Sequence, residues 1–262
     1  MIGPNTTANG GTYLLLSFLS VGSLLLAWLI ATNGGFVAAK ILPTPQAIGH
    51  EVYSLILHGY TGKPLWLHAS ASLFRTLLGL IAALVIGIPL GLLVGASSII
   101  NALLTPIFSF LRPVPAIALI PLIILYFGIG EFSKVLVIFI TATLYVILNA
   151  SAGVKSVPQD LVRAGINMGL SRGQLFRHVI LPASAPHIMT GIKTATAVSW
   201  ALVVASELIA AQVGLGYMIM DAATFYRIPD VYIAIAIIGL IGLALETLET
   251  YAETRILHWR GR

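Results

Sequence analysis

The chain contains no cysteine. That removes disulfides, thiolate metal centres and cysteine nucleophiles from consideration. Charge is nearly as scarce: 9% of the 262 residues are Asp, Glu, Lys or Arg, against 58% hydrophobic. A soluble domain carries about 25% charged residues, so most of this surface is not built for water. The apolar residues come in long runs without strict alternation, which selects helices over a membrane barrel. No Lys or Arg precedes the first apolar run, so a secretory signal peptide is not expected. No G-x-x-x-x-G-K-[ST] loop is present, so no phosphate-loop nucleotide site is expected in this chain. The histidines give no metal pair at helical spacing: His50, His58 and His68 are scattered, and His178 and His187 lie in a polar stretch. No nucleophile stands with a plausible base. The expectation is therefore no catalytic residue and no metal or cofactor bound by the chain. The net charge of +5 is better read through its distribution than as a nucleic-acid footprint.

What remains is an all-α polytopic membrane protein, one transmembrane domain over residues 1–262. Residues 1 to 12 are polar and Gly-rich and read as a loose tail. A span needs ~20 apolar residues, and such stretches fall near 13–31, 72–96, 101–128, 135–154, 188–211 and 231–248. Between the first two, LPTPQAI and HEVYSLILHG predict an extramembrane connection with a short interfacial helix. In the second, Gly79, Gly87, Gly91 and Gly95 let helix backbones approach closely in lipid. Arg75, at its entrance, is expected to snorkel to the interface. Residues 212–230 predict a loop or a partly inserted segment.

The third stretch cannot be one straight lipid-facing helix, because LRPVPAIALIP interrupts it with Pro113, Pro115 and Pro121. Broken backbone at membrane depth is tolerated where it is buried in protein or lines water. Arg112 beside it is by default functional; its bland alternative is to cap carbonyls freed by the prolines. Ser199 and Glu207 are polar positions in the fifth span. Glu207 must face protein or water, as part of a pathway, tied structurally to backbone, or paired with an arginine such as Arg112.

The longest polar interruption is VPQDLVRAGINMGLSRGQLFRHVILP, residues 157–182. It predicts two short amphipathic helices with a glycine joint. Pro158 suits a first turn. Leu161, Ala164, Gly165 and Met168 share one side, with Asp160, Arg163 and Asn167 elsewhere. Gly169 is placed to end the first helix in a left-handed conformation. Ser171 and Gln174 form a capping box for the second. Pro182 is expected to stop the second helix. Lys155, Arg163, Arg172, Arg177 and Lys193 here, with Arg255, Arg260 and Arg262 in the tail, hold eight of the 14 basic residues. They place both segments in the cytoplasm, and an even span count puts the N-terminus there too.

The stretch resembles a cytoplasmic loop of the permease subunits of bacterial ABC importers. That loop carries Glu-Ala-Ala, three residues, Gly, nine residues, Ile, one residue and Leu-Pro. Here Arg163-Ala164-Gly165, Gly169, Val179 and Leu181-Pro182 stand in register, with Arg for the Glu, Gly for the second Ala and Val for the Ile. The stretches from Ser72 to Gly95, from Arg112 to Lys134 and from Ser199 to Ile219 also resemble permeases for taurine, aliphatic sulfonates, nitrate and bicarbonate. The resemblance implies a type I importer permease fold in the bacterial inner membrane. It implies a coupling-helix hairpin that docks through Asp160, Arg163, Ala164, Gly165, Met168, Gly169, Leu170 and Ser171 onto an ATPase. Two copies of that ATPase, holding ATP and Mg, a second copy of the permease and an extracytoplasmic solute-binding protein are the implied partners. Arg112, Pro113, Pro115, Ser199 and Glu207 are expected along the substrate pathway, with an anion, taurine- or sulfonate-like, as cargo. Two other readings of the residues are an ion-coupled secondary transporter and a structural membrane subunit. The first usually shows an internal repeat of paired broken helices, and one broken region is visible.

Overall fold

A computed structural model describes residues 10–38 and 40–259. The expectations for residues 1–9, and for Arg260 and Arg262, lie outside them. The elements in order are α1 (Gly10–Asn33), α2 (Pro45–His58), α3 (Leu65–Ala96), α4 (Ser98–Leu111), α5 (Leu119–Phe127), α6 (Glu131–Lys155), α7 (Gln159–Asn167), α8 (Arg172–Leu175), α9 (Leu181–Ala210), α10 (Leu215–Thr224) and α11 (Ile228–Ile256). A 3₁₀ turn, Ala116–Ala118, precedes α5, and a π-helical turn, Phe176–Ile180, joins α8 to α9. Among the described residues five helices are long and apolar enough to span, and α4 with α5 makes a sixth, bent by 80°.

The central packing is α3 on α6 on α9. Gly79, Gly87, Gly91 and Gly95 of α3 lie against Ile138, Val146, Ala150 and Val154 of α6. The steps match along both helices, so α3 and α6 run parallel. A Cβ on Gly91 would sit 2.7 Å from Ala150 Cβ and 2.8 Å from the Ile147 carbonyl, so the backbones touch there. Parallel neighbours need a crossing between them, and the bent α4–α5 segment is what makes it. It is therefore a span that crosses, not a loop that dips and returns. The packing of α9 on α6 is antiparallel: Gly153 meets Ser184 and His187, and Gly191 meets Asn149.

At one end of the bundle lies the polar hairpin around α7. At the other, α2, α10 and the start of α11 form a cap around Leu55, Tyr60, Met218, Ala222, Ile233 and Ala234. Thr44 starts α2 by accepting from the Ala47 N–H at 3.2 Å, with Pro45 in the first turn. Tyr60 is fully buried there and donates to Asp221 Oδ2 at 2.7 Å. That burial and that carboxylate push its phenol well above the usual tyrosine range.

Two local expectations are corrected. Arg75 does not snorkel; it is buried inside the bundle, because α3 begins at Leu65 and carries it two to three turns in. Pro182 does not stop a helix. The helix runs from Arg172 to Ile209. The π turn just upstream, with the Leu181 N–H reaching Phe176 O, widens the backbone and makes room for the proline ring.

Candidate functional site

Three places carry polar chemistry. The first is the hairpin. Pro158 sits just ahead of α7 in an extended conformation. At the other end Gly169 is left-handed, with φ 79°. Its N–H bonds Ile166 O at 2.9 Å, and the Leu170 N–H bonds Gly165 O at 3.2 Å. That pair is a Schellman close, and it satisfies carbonyls the helix end would leave bare. The capping box follows as expected: Ser171 N donates to Gln174 Oε1 at 2.9 Å, and Gln174 N to Ser171 Oγ at 3.4 Å. Gly165 is the one buried residue of α7, pressed on Leu175, Leu170 and Val179.

The expected apolar side of α7 does not turn inward as a unit. Leu161, Ala164 and Met168 are exposed together with Asp160, Arg163, Gly169 and Ser171, and Met168 is 80% exposed. A two-turn helix resting on a one-turn helix has a single line of contact, and Gly165 fills it; Leu170 is half-buried beside it. The result is a mixed apolar and charged knob at one end of the bundle.

The second place is the break between α4 and α5. Arg112 N still reaches Phe108 O at 2.9 Å, Val114 N reaches Leu111 O at 3.1 Å, and the chain then turns through Pro113 and Pro115. This turn opens a groove of about 690 Å³, lined by Arg112, Pro113, Pro115, Thr141, Tyr145 and Ala201 among others. Among the described residues Arg112 is the one charge on its wall. The Arg112 guanidinium is exposed, and among the described residues it has no hydrogen bond or ion pair, so it does not cap the proline-freed carbonyls.

Ser199 and Glu207 do not line this groove. Ser199 is fully buried in the packing of α9. Glu207 is 1% exposed and belongs to the third place, an ion network at the end away from the hairpin. Its carboxylate takes Arg75 Nη1 at 2.5 Å, Ser72 Oγ at 2.8 Å and the Gly216 N–H at 2.9 Å. Arg75 also donates to Val213 O at 2.7 Å and reaches Glu131 through Nε at 2.5 Å and Nη2 at 2.8 Å. Lys134 Nζ closes the set on Glu131 at 2.9 Å. A pairing of Glu207 with Arg112 is thus replaced by Arg75. Sequence reasoning missed Arg75 and Glu131 as its members. The available signal was an arginine inside a span with no neighbour of opposite charge on its own helix.

Residues 87–258 match the family described as the binding-protein-dependent transport system inner membrane component. The chain belongs to that family. It is 38% identical over 247 residues to the taurine transport system permease protein TauC of Escherichia coli (strain K12), covering 93% of this chain and 90% of that protein. It is 34% identical over 244 residues to the nitrate import permease protein NrtB of Synechocystis sp., covering 91% and 88%. Its fold is similar to that of an inward-facing MetNI methionine ABC transporter chain, with a TM-score of 0.62 at 19% identity over 76% of this chain and 98% of that one. It is therefore a multi-pass transport permease of the ABC importer class, a transport subunit with the type I fold.

Proposed function

We propose that the chain forms the translocation pathway for a small anion, taurine- or sulfonate-like, in an ATP-driven importer of the bacterial inner membrane. An extracytoplasmic binding protein delivers the solute, two ATPase copies bind ATP and Mg, and a second copy of the permease completes the pathway. The hairpin end and both termini face the cytoplasm.

The observation that carries this reading is the exposed α7 knob. Asp160, Arg163, Ala164 and Met168 project from α7 and the turn that closes it, Gly169 and Ser171 follow in the capped joint to α8, and all six are exposed among the described residues. A rigid, exposed, partly apolar feature at the end of a bundle is suited to a partner that pushes on it. That partner is the ATPase. ATP closes its dimer, draws the two knobs together and shifts the bundle between inward- and outward-facing states.

The anion reading is supported by Arg112, the single charge among the described residues on a mainly apolar groove that Tyr145 and Thr141 also line. A guanidinium offers forked donors to a carboxylate or sulfonate. The names of the taurine and nitrate relatives agree with that class. The buried Glu207 is neutralised by Arg75, so it does not repel an anion from the groove.

The test is ATPase activity and taurine uptake by the complex, co-expressed with its ATPase and reconstituted in lipid. Gly169→Glu should abolish stimulation by loaded binding protein while the spans stay folded. Arg112→Gln should weaken uptake with the ATPase still bound. No associated ATPase, or no effect of Gly169→Glu, overturns the coupling reading. Unchanged uptake kinetics in Arg112→Gln overturns the anion role.

A further inference from the structure

The α11 helix carries a second charge that the described residues leave unanswered. Glu246 is exposed on a groove with Leu243, Thr247, Thr250, Tyr251 and Thr254, and among the described residues it has no ion pair or hydrogen bond. Its depth follows from the way α11 packs on α9. Trp200 Nε1 donates to Ile238 O at 3.1 Å and lies against Gly242; Lys193 Nζ pairs with Glu253 at 2.5 Å. The two helices are antiparallel, so Glu246, between these contacts, stands level with Ala197. Ala197 is also on the wall of the Arg112 groove. Asn101 of α4 meets Lys155 of α6 and Ser109 shares a cleft with Leu148, so α4 runs antiparallel to α6 and Arg112 stands near the level of Leu144, which the Gly191–Asn149 contact puts level with about Ala197. Arg112 and Glu246 are therefore at one depth, near the middle of the bundle, and among the described residues both are uncompensated.

They also flank one face. On α9, at 100° per residue, Ala197 and Ala201 form an exposed stripe. Lys193 and Trp200, which meet α11, lie to one side of it. Val198 and Leu202, which reach the Arg112 groove, lie to the other. Glu246 is one helical turn from Gly242 and on the flank of α11 away from Ile241 and Leu245, which pack on the core. One open face thus has a carboxylate on its α11 edge and a guanidinium on its α4–α5 edge. A two-fold axis in front of α9 brings the α11 edge of each copy to the α4–α5 edge of the other.

We infer that Arg112 of one copy pairs with Glu246 of a second copy across this face, twice per dimer. A charge at membrane depth must meet protein or water, and each of these supplies what the other lacks. The inference rests on the proposed two-copy pathway. It adds that Arg112 is neutralised at rest and that an entering anion has to take the place of a carboxylate.

The absence of native cysteine makes the test clean. One copy carries Arg112→Cys, and a differently tagged copy carries Glu246→Cys. Both are co-expressed with the ATPase and treated in membranes with a short bifunctional maleimide. A cross-linked pair bearing both tags is expected, with none when either cysteine copy is paired with the unsubstituted chain. If the tagged copies co-purify but do not cross-link, the pair is overturned and the dimer stands. If they do not co-purify, the two-copy pathway falls with it. As a second measurement, Arg112→Glu and Glu246→Arg should each lower uptake about tenfold or more, and both together in one chain should recover most of it. A double variant no better than the worse single overturns the ionic link, even where the cross-link forms.

Discussion

Arg75 holds Glu207 at 2.5 Å in the bundle interior, although 132 positions separate them. Together they tie α3 to α9. Through Glu131, whose side chain is 64% exposed, Arg75 also ties both to the start of α6.

Removing one partner should be worse than removing both. Arg75→Ala leaves a buried carboxylate uncompensated and should cost about 3–5 kcal/mol of stability. Arg75→Met combined with Glu207→Leu removes both charges and should lose clearly less. Thermal unfolding of the purified permease in detergent, followed by tryptophan fluorescence, ranks the two. Equal losses would show that the ion pair contributes nothing beyond its packing.

Gly214 should tolerate no side chain. Its φ is 141°, and an added Cβ would run into the Glu207 carboxylate. Gly214→Ala should lower the melting temperature and loosen the link between α9 and α10, detected as faster amide exchange in residues 212–216. A variant melting like wild type contradicts this.

Gly169 differs, because nothing lies within 4 Å of an added Cβ there. Gly169→Ala meets only the left-handed backbone cost, about 1–2 kcal/mol. It should fray the end of α7 while the bundle melts almost unchanged. Met168→Asp, on the exposed side, should leave stability alone and reduce ATPase association, measured by co-purification.

The α3–α6 seam should be intolerant of bulk. Gly91→Val needs room where the Ala150 Cβ and the Ile147 carbonyl already stand. It should separate the helices and lower the yield of folded protein on size-exclusion chromatography, whereas Gly22→Val on α1, with nothing within 4 Å, should not.

The spans, the glycine joint and the capping box were legible because each is a local pattern. Hydropathy over one helix, Gly169 after α7 and Ser171 three residues before Gln174 need no knowledge of the rest of the chain. Arg75 was not legible, since its partner is set by how α3, α6 and α9 pack. Pro182 misled for a related reason. The rule weighs the missing N–H and the ring clash, but a single wide turn upstream absorbed both. The α7 wheel was right in its periodicity; which side turned inward depended on the small contact at Gly165.

The uninterrupted helix from Arg172 to Ile209 has a mechanical consequence. Its 38 residues make a rod of roughly 57 Å at 1.5 Å per residue. One end is seated in the hairpin and the other carries Glu207. A tilt of about 5° imposed at the hairpin would carry the far end ~5 Å along the arc, more than a salt bridge survives. The rod is a lever, and the Arg75–Glu207 tie is the catch it would have to spring.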